Sequence, residues 1–170
     1  MAHDMEKLVS DIVKQVLGQD SSEVKSAAVK NSMSKMTLEA AKKTIEAVEK
    51  KAKEMGVKAV TAISDAGGNP IAVECMDDAF IASYDIAVNK AFTVVSLKMP
   101  TKNLATLAAP GGSLYGIQFT NNGKIIIFGG GEPLTNKDGV IIGGLGVSGG
   151  TAEQDTTLGE YGKAFFESLN

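Results

Sequence analysis

The sequence predicts an α+β domain in which a profilin-like antiparallel β-sheet of about five strands is flanked by helices. Two observations from the residues point to the antiparallel sheet. Strand-like runs come in pairs joined by tight turns, Ala66-Gly67-Gly68-Asn69 in the first pair and Lys137-Asp138-Gly139 in the second. Helical periodicity falls in blocks before, between and after these pairs, not in alternation with single strands. The order helix, two strands, helices, three strands, helix therefore gives helices over the faces of an antiparallel sheet, not a doubly wound fold.

The elements follow in order. Met5, Leu8, Val9, Ile12, Val13, Val16 and Leu17 recur at helical spacing and form the stripe of a short amphipathic helix, with Gly18 as its terminator. Residues 19–36 are rich in Ser, Lys and small residues and read as a flexible linker. Thr37 is placed to cap a helix with a core face of Leu38, Ala41, Ile45, Val48, Ala52 and Met55, closed by Gly56. VKAVTAISD and PIAVECM form the first hairpin, and Cys75 within it reads as a buried, inert thiol. Asp77-Asp78 caps a helix over about residues 79–98, stopped by Pro100, and Thr101 opens a shorter helix that ends before Pro110. Residues 113–123 are irregular. KIIIFGGG is a strand, and the runs around Glu132–Thr135 and Gly139–Gly146 make the second hairpin. Thr151 and Gln154 have the spacing of a capping box, opening a last helix with an apolar face of Ala152, Leu158, Tyr161, Phe165 and Leu169.

Composition excludes several function classes. A net charge of −3 leaves no basic footprint for nucleic acid. No apolar run approaches the ~20 residues of a membrane span, and the N-terminus lacks the compact apolar core of a secretory signal. The single cysteine rules out an intrachain disulfide and agrees with a cytoplasmic location. The expected organisation is a helix at 1–18, a linker at 19–36 and one domain at 37–170.

Gly144, Gly146 and Gly149 spell G-x-G-x-x-G, the spacing of a dinucleotide-binding turn. That turn needs a following helix and a second parallel strand bearing an acidic residue for the ribose. Here the helix consumes the chain, so the glycines are read as serving a tight strand-to-helix junction and close packing. Gly129-Gly130-Gly131 lacks the Lys-Ser/Thr ending of a phosphate loop and reads as a bulged or crossing strand, with an anion cradle as the alternative. The only histidine is His3, so a metal cluster or a Ser-His pair inside the domain is not available. Lys90 stands among Ile86, Ala87, Val88, Ala91 and Phe92 and needs to snorkel or find a carboxylate, for which Asp65, Asp78 or Asp85 are at hand. A structural ion pair or a catalytic amine, the latter with Asp65, Asp78 or Asp155, both fit.

Taken in order, ISDAGGNPIAVECMDDA, AVNKAFTV, FGGGEP, DGVIIGGLGVSGG and EQD resemble the GlcG/HbpS-like family, nearest the C-terminal domain of propanediol-utilisation PduO proteins. The resemblance covers about residues 37–170. It implies the profilin-like fold, assembly into homo-oligomers (often octamers) and, for several members, haem binding. The adenosyltransferase activity of full-length PduO proteins is implied to belong to a separate domain that this chain has no room for. Family members can carry histidine where this chain has Lys102, just after Pro100-Thr101, and near the loop that holds Tyr115. Lysine must lose a proton to ligate iron, whereas tyrosinate is a known haem ligand. Gly130, Gly131 and Glu132 complete the candidate cofactor contacts.

The stretch MEKLVSDIVKQVL also resembles peptides that direct cargo into bacterial microcompartments, with Leu8, Val9, Ile12, Val13, Val16 and Leu17 as its apolar stripe. The expectation is an accessory haem- or tetrapyrrole-binding protein in a microcompartment lumen, contacting shell or cargo proteins through residues 1–18. A small-metabolite enzyme and a ligand-free structural cargo protein are the alternatives.

Overall fold

The structure is a computed structural model that describes residues 32–169. The amphipathic stripe and most of the linker lie outside the described residues. Among the described residues the order is α1 (Leu38–Glu54), β1 (Val60–Asp65), β2 (Pro70–Cys75), α2 (Ser83–Leu97), α3 (Thr101–Ala108), two short 3-10 turns (Ile117–Phe119 and Asn121–Gly123), β3 (Gly131–Thr135), β4 (Ile141–Ser148) and α4 (Ala152–Ser168). The strands form one sheet in the order β2-β1-β4-β3, with every neighbouring pair antiparallel. This is the expected α+β arrangement with four strands in place of about five.

The missing strand is KIIIF. Its backbone is claimed by α2 instead: the Ile126 N–H donates to Thr93 Oγ1 at 3.0 Å, and that hydroxyl lies 3.2 Å from the Lys124 carbonyl. Gly130, at φ +108, then redirects the chain so that Gly131 enters the ladder opposite Gly146.

Helix α2 covers one face of the sheet, where Val60 and Ala62 meet Ala87 and Ala91. Helices α1 and α4 cover the other, where Ile45, Val48, Leu158 and Phe166 pack with Ile63, Leu145 and Val147. Met36 belongs to this second core, so the end of the segment read as linker packs with the domain.

Strand β4 explains the glycine motif. A Cβ on Gly146 would stand 2.0 Å from the Ala87 carbonyl oxygen, and one on Gly144 would stand 2.3 Å from that of Ala91. Gly149 faces the Lys58 carbonyl just as closely, at 2.3 Å. The pattern seats α2 and the β1 approach backbone-to-backbone against β4. It makes no parallel strand–helix–strand unit, which a dinucleotide turn requires.

The caps at both ends are as read. Thr37 accepts from the Ala40 N–H, and Thr151 and Gln154 form the reciprocal capping box. Four readings are corrected. Asp78 sits in a turn at φ +61, and Ala82 precedes α2 without a side-chain cap. The buried face of α4 is Asp155, Leu158, Gly159, Gly162 and Phe166, so Ala152 and Tyr161 are exposed. Cys75 is exposed, because β2 is an edge strand with a sparse cover. On α1, Leu38 likewise faces outward. No described helix is long and apolar enough to cross a membrane.

Candidate functional site

Helix α2 carries Lys90 into the protein with no exposed surface. Its Nζ donates to the Val147 carbonyl at 2.7 Å and to Asp155 Oδ2 at 2.8 Å, and lies 4.7 Å from the centre of the Phe128 ring. Asp155 stands in the first turn of α4, where the helix dipole favours an anion, and its Oδ1 accepts the Gly150 N–H at 2.9 Å. Burial pulls the Lys90 amine below the ordinary lysine range, and Asp155 opposes that shift. Two of the three ammonium donors have hydrogen-bond partners and the Phe128 ring lies on a further side, an arrangement that ties α2, β4 and α4 together. A Cβ on Gly130 would come within 2.7 Å of Nζ, so the glycine makes room for the amine.

The other carboxylates proposed for Lys90 lie elsewhere. Asp65 closes the first hairpin, accepting from the Gly67 and Asn69 backbone N–H groups at 2.8 and 2.9 Å, and the Asn69 bonds hold its carboxyl below the usual range. Asp78 pairs with Lys58 at the surface, which lowers its pKa in the same way. Asp85 is exposed in the first turn of α2.

Glu132 on β3 is 3% exposed, faces Gly159 of α4, and has an Oε1 without a hydrogen-bond partner. Burial raises its pKa to about 7, and the strongest charge acting against that rise is Lys102. Lys102, in the first turn of α3, is itself ion-paired with Glu160 of α4, which raises its own pKa. Lys102 also lines a cleft of about 340 Å³ with Ala105, Phe128, Gly129, Ala152, Glu153 and Thr156. This volume lies at the low end of small-molecule sites. Gly131 is packed away from it: its N–H donates to Thr101 Oγ1 at 2.9 Å, and a Cβ there would meet Thr101 and Val94. Gly130 and Gly131 thus face protein.

A stability profile tests Glu132. Its carboxyl binds a proton more tightly folded than unfolded, so stability is fullest below about 4.5 and is lost as pH rises through about 7. That interval corresponds to about 3 kcal/mol. Urea titrations of Glu132→Gln should lack this fall between pH 5 and 8. An equal fall in both proteins would place the proton linkage on another group.

Tyr115 lies beyond the far end of α3, held there by the Leu114 N–H on the Leu107 carbonyl at 2.9 Å. Helix α3 has eight residues, about 12 Å of rise, so Lys102 and Tyr115 occupy opposite ends of it. Tyr115 is 66% exposed and Phe119 83% exposed, and no described residue bonds the Tyr115 phenol. Leu104 of α3 is fully buried. The described residues hold no cluster of three His, Cys, Asp or Glu suited to a metal ion.

Two groups in this region escaped the sequence reading. Phe128 covers Lys90, and Glu160 holds Lys102. The sequence places Phe128 in a strand, and Glu160 lies on a helix whose buried face is set by glycines and Asp155; neither carries a local motif.

A family model for haem-degrading HbpS-like proteins matches residues 36–164. The chain is 48% identical over 134 residues to an uncharacterised 15.0 kDa protein of Citrobacter freundii from the dhaT-dhaS intergenic region, covering 79% of this chain and 94% of that one. It is 31% identical over 159 residues to the corrinoid adenosyltransferase PduO of the same organism, covering 94% of this chain and 47% of PduO, so it spans about half of that protein. Among solved structures, the PduOC:heme complex superimposes with a TM-score of 0.73 at 35% identity, covering 76% of this chain and 94% of that one. On the family model and these matches, the chain belongs to the HbpS-like family.

Proposed function

We propose that this protein is an accessory haem- or tetrapyrrole-binding protein that works as a homo-oligomer. The observation that carries the reading is the exposure of Tyr115 and Phe119, two aromatic side chains four residues apart, with a phenol that no described residue bonds. Exposed aromatic side chains suit a flat macrocycle with a metal centre, and tyrosinate is an established ligand type. Support also comes from the family match and from the heme complex of the PduOC relative. Haem would supply a redox-active iron; Tyr115 would ligate it and Phe119 would cover the ring. Lys102 does not fit as an iron ligand, because its pairing with Glu160 favours the ammonium form. Ile81, 98% exposed beside Phe80, adds apolar surface that a second subunit can cover.

Titration of the purified protein with haem should give a saturable Soret band, weakened at least tenfold in affinity by Tyr115→Phe and little changed by Lys102→Gln. No saturable band at micromolar haem would overturn the assignment. Light scattering that gave only a monomer mass over a wide concentration range would overturn the assembly.

The reading extends to residues 1–18 as a targeting helix, with the segment that follows it, short of the packed Met33 and Met36, as its tether and the protein as microcompartment cargo. A helix this short is marginal alone, and its stripe suits a helical partner on shell or cargo proteins. A fluorescent protein carrying residues 1–20 should give puncta in cells that make microcompartments. The puncta should vanish when Leu8, Ile12 and Val16 become Glu. Diffuse signal from the intact fusion would rule targeting out.

A further inference from the structure

We infer that Glu132 and Glu160 compete for the Lys102 ammonium, and that the proton on Glu132 decides which carboxylate holds it. Three observations meet here. Glu132 has a buried oxygen without a hydrogen-bond partner. Gly131 donates to Thr101 and Glu132 packs on Gly159, so Lys102 and Glu160, which follow Thr101 and Gly159 in the chain and are paired with each other, stand beside Glu132. Lys102 also stands on the wall of the cleft.

The charges facing Glu132 come from two elements. Helix α3 contributes Lys102, and α4 contributes Glu160, Lys163 and Glu167. Lys163 and Glu167 are paired with each other one turn apart, so their effects on Glu132 largely offset. Strand β4, its neighbour in the sheet, carries no charged residue. Lys90 and Asp155, across Gly130, are likewise matched. Of the two cations on α3 and α4, Lys102 acts more strongly on Glu132.

While Glu132 is protonated, the ammonium stays with Glu160 on the α4 rim. Ionisation of Glu132 places an uncompensated charge at a site that excludes water, and Lys102 is the group that can compensate it. The swap leaves Glu160 free in solvent, where its solvation costs little. It draws the only positive side chain of the cleft toward the sheet edge. The cleft then offers a cation to an anionic ligand at low pH and withdraws it as pH rises.

The test is carboxyl and lysine NMR on the full chain, labelled at Glu Cδ and Lys Cε and Nζ. Glu132 should titrate near neutrality, and the Lys102 signals should move with the same midpoint. Glu132→Gln should abolish the Lys102 step. Glu160→Gln should lower the Glu132 midpoint, because Lys102 is released to it, and Lys102→Met should raise it. The direct charges of Glu160 and Lys102 move the Glu132 midpoint in these directions without any swap, so the deciding readout is the Lys102 step at the Glu132 midpoint and its loss in Glu132→Gln. A flat Lys102 signal between pH 5 and 9, or a Glu132 midpoint unmoved in both variants, would overturn the inference.

Discussion

Lys90→Met should lower the unfolding free energy at pH 7 by about 3–5 kcal/mol, the cost of stranding one member of a buried ion pair. Asp155 is 2% exposed and would keep only the Gly150 N–H on Oδ1, while the Val147 carbonyl would lose its side-chain donor. Methionine roughly matches the lysine stem in volume, so a cavity contributes little. The companion experiment is Lys90→Met with Asp155→Leu. An apolar pair of similar volume should recover a large part of the loss, since it leaves no unpaired charge. Urea denaturation of the three variants reads both effects. A single variant within 1 kcal/mol of the parent would show that the pair is not structural and would reopen a chemical role for the amine.

Gly146→Val should abolish soluble expression or unfold the domain at room temperature. The atom a Cβ would strike is the Ala87 carbonyl oxygen at 2.0 Å, with the Ala91 nitrogen at 2.7 Å behind it. Both belong to helix backbone, so no side chain can swing aside. The contrast is Gly139→Ala in the β3–β4 turn, where φ is +76 and nothing lies within 4 Å. That change should cost only the backbone strain of a left-handed alanine, about 1 kcal/mol. Soluble yield and thermal melting separate the two. Adding NAD to the parent should leave its melting temperature unchanged. A clear NAD-dependent rise would restore the nucleotide reading of the glycines.

Local signals in the sequence were legible where a single interaction sets them. The Thr37 cap, the Thr151–Gln154 box and both hairpin turns depend on a few adjacent residues, and all were readable. Apolar counting failed on α4 because its buried face is built from Gly159, Gly162 and Asp155, none of which scores as hydrophobic. It also failed at Ile125–Phe128, where a β-like composition yields to the hydroxyl of Thr93, more than thirty residues away in the chain. Cys75 sits in a convincing strand, but composition does not say that the strand is an edge. At the candidate site Lys90 was conspicuous because a lysine among apolar residues needs a partner. Choosing Asp155 over the nearer Asp65, Asp78 and Asp85 required knowing that α4 returns beside α2 at the β4 end. Glu132 was visible only as part of a glycine-rich motif. Its burial follows from Gly159, which lets α4 lie over it.

The seating of α2 on β4 ties the inheritance of several positions together. The same missing side chain at Gly146 that admits the Ala87 carbonyl also leaves Lys90 Cβ within 2.9 Å of where a Cβ would stand. Any larger residue there would lift the helix and carry the ammonium off Asp155. A lineage that loses the glycine must therefore lose the lysine's charge as well, while Gly130 stays fixed by its φ of +108 and by the Val147 carbonyl 2.6 Å from where a Cβ would stand. Across descendants of this sequence, Lys90, Gly146 and Asp155 should change as a block or stay as a block. Drift at one of them alone leads through a folding-defective intermediate that selection removes.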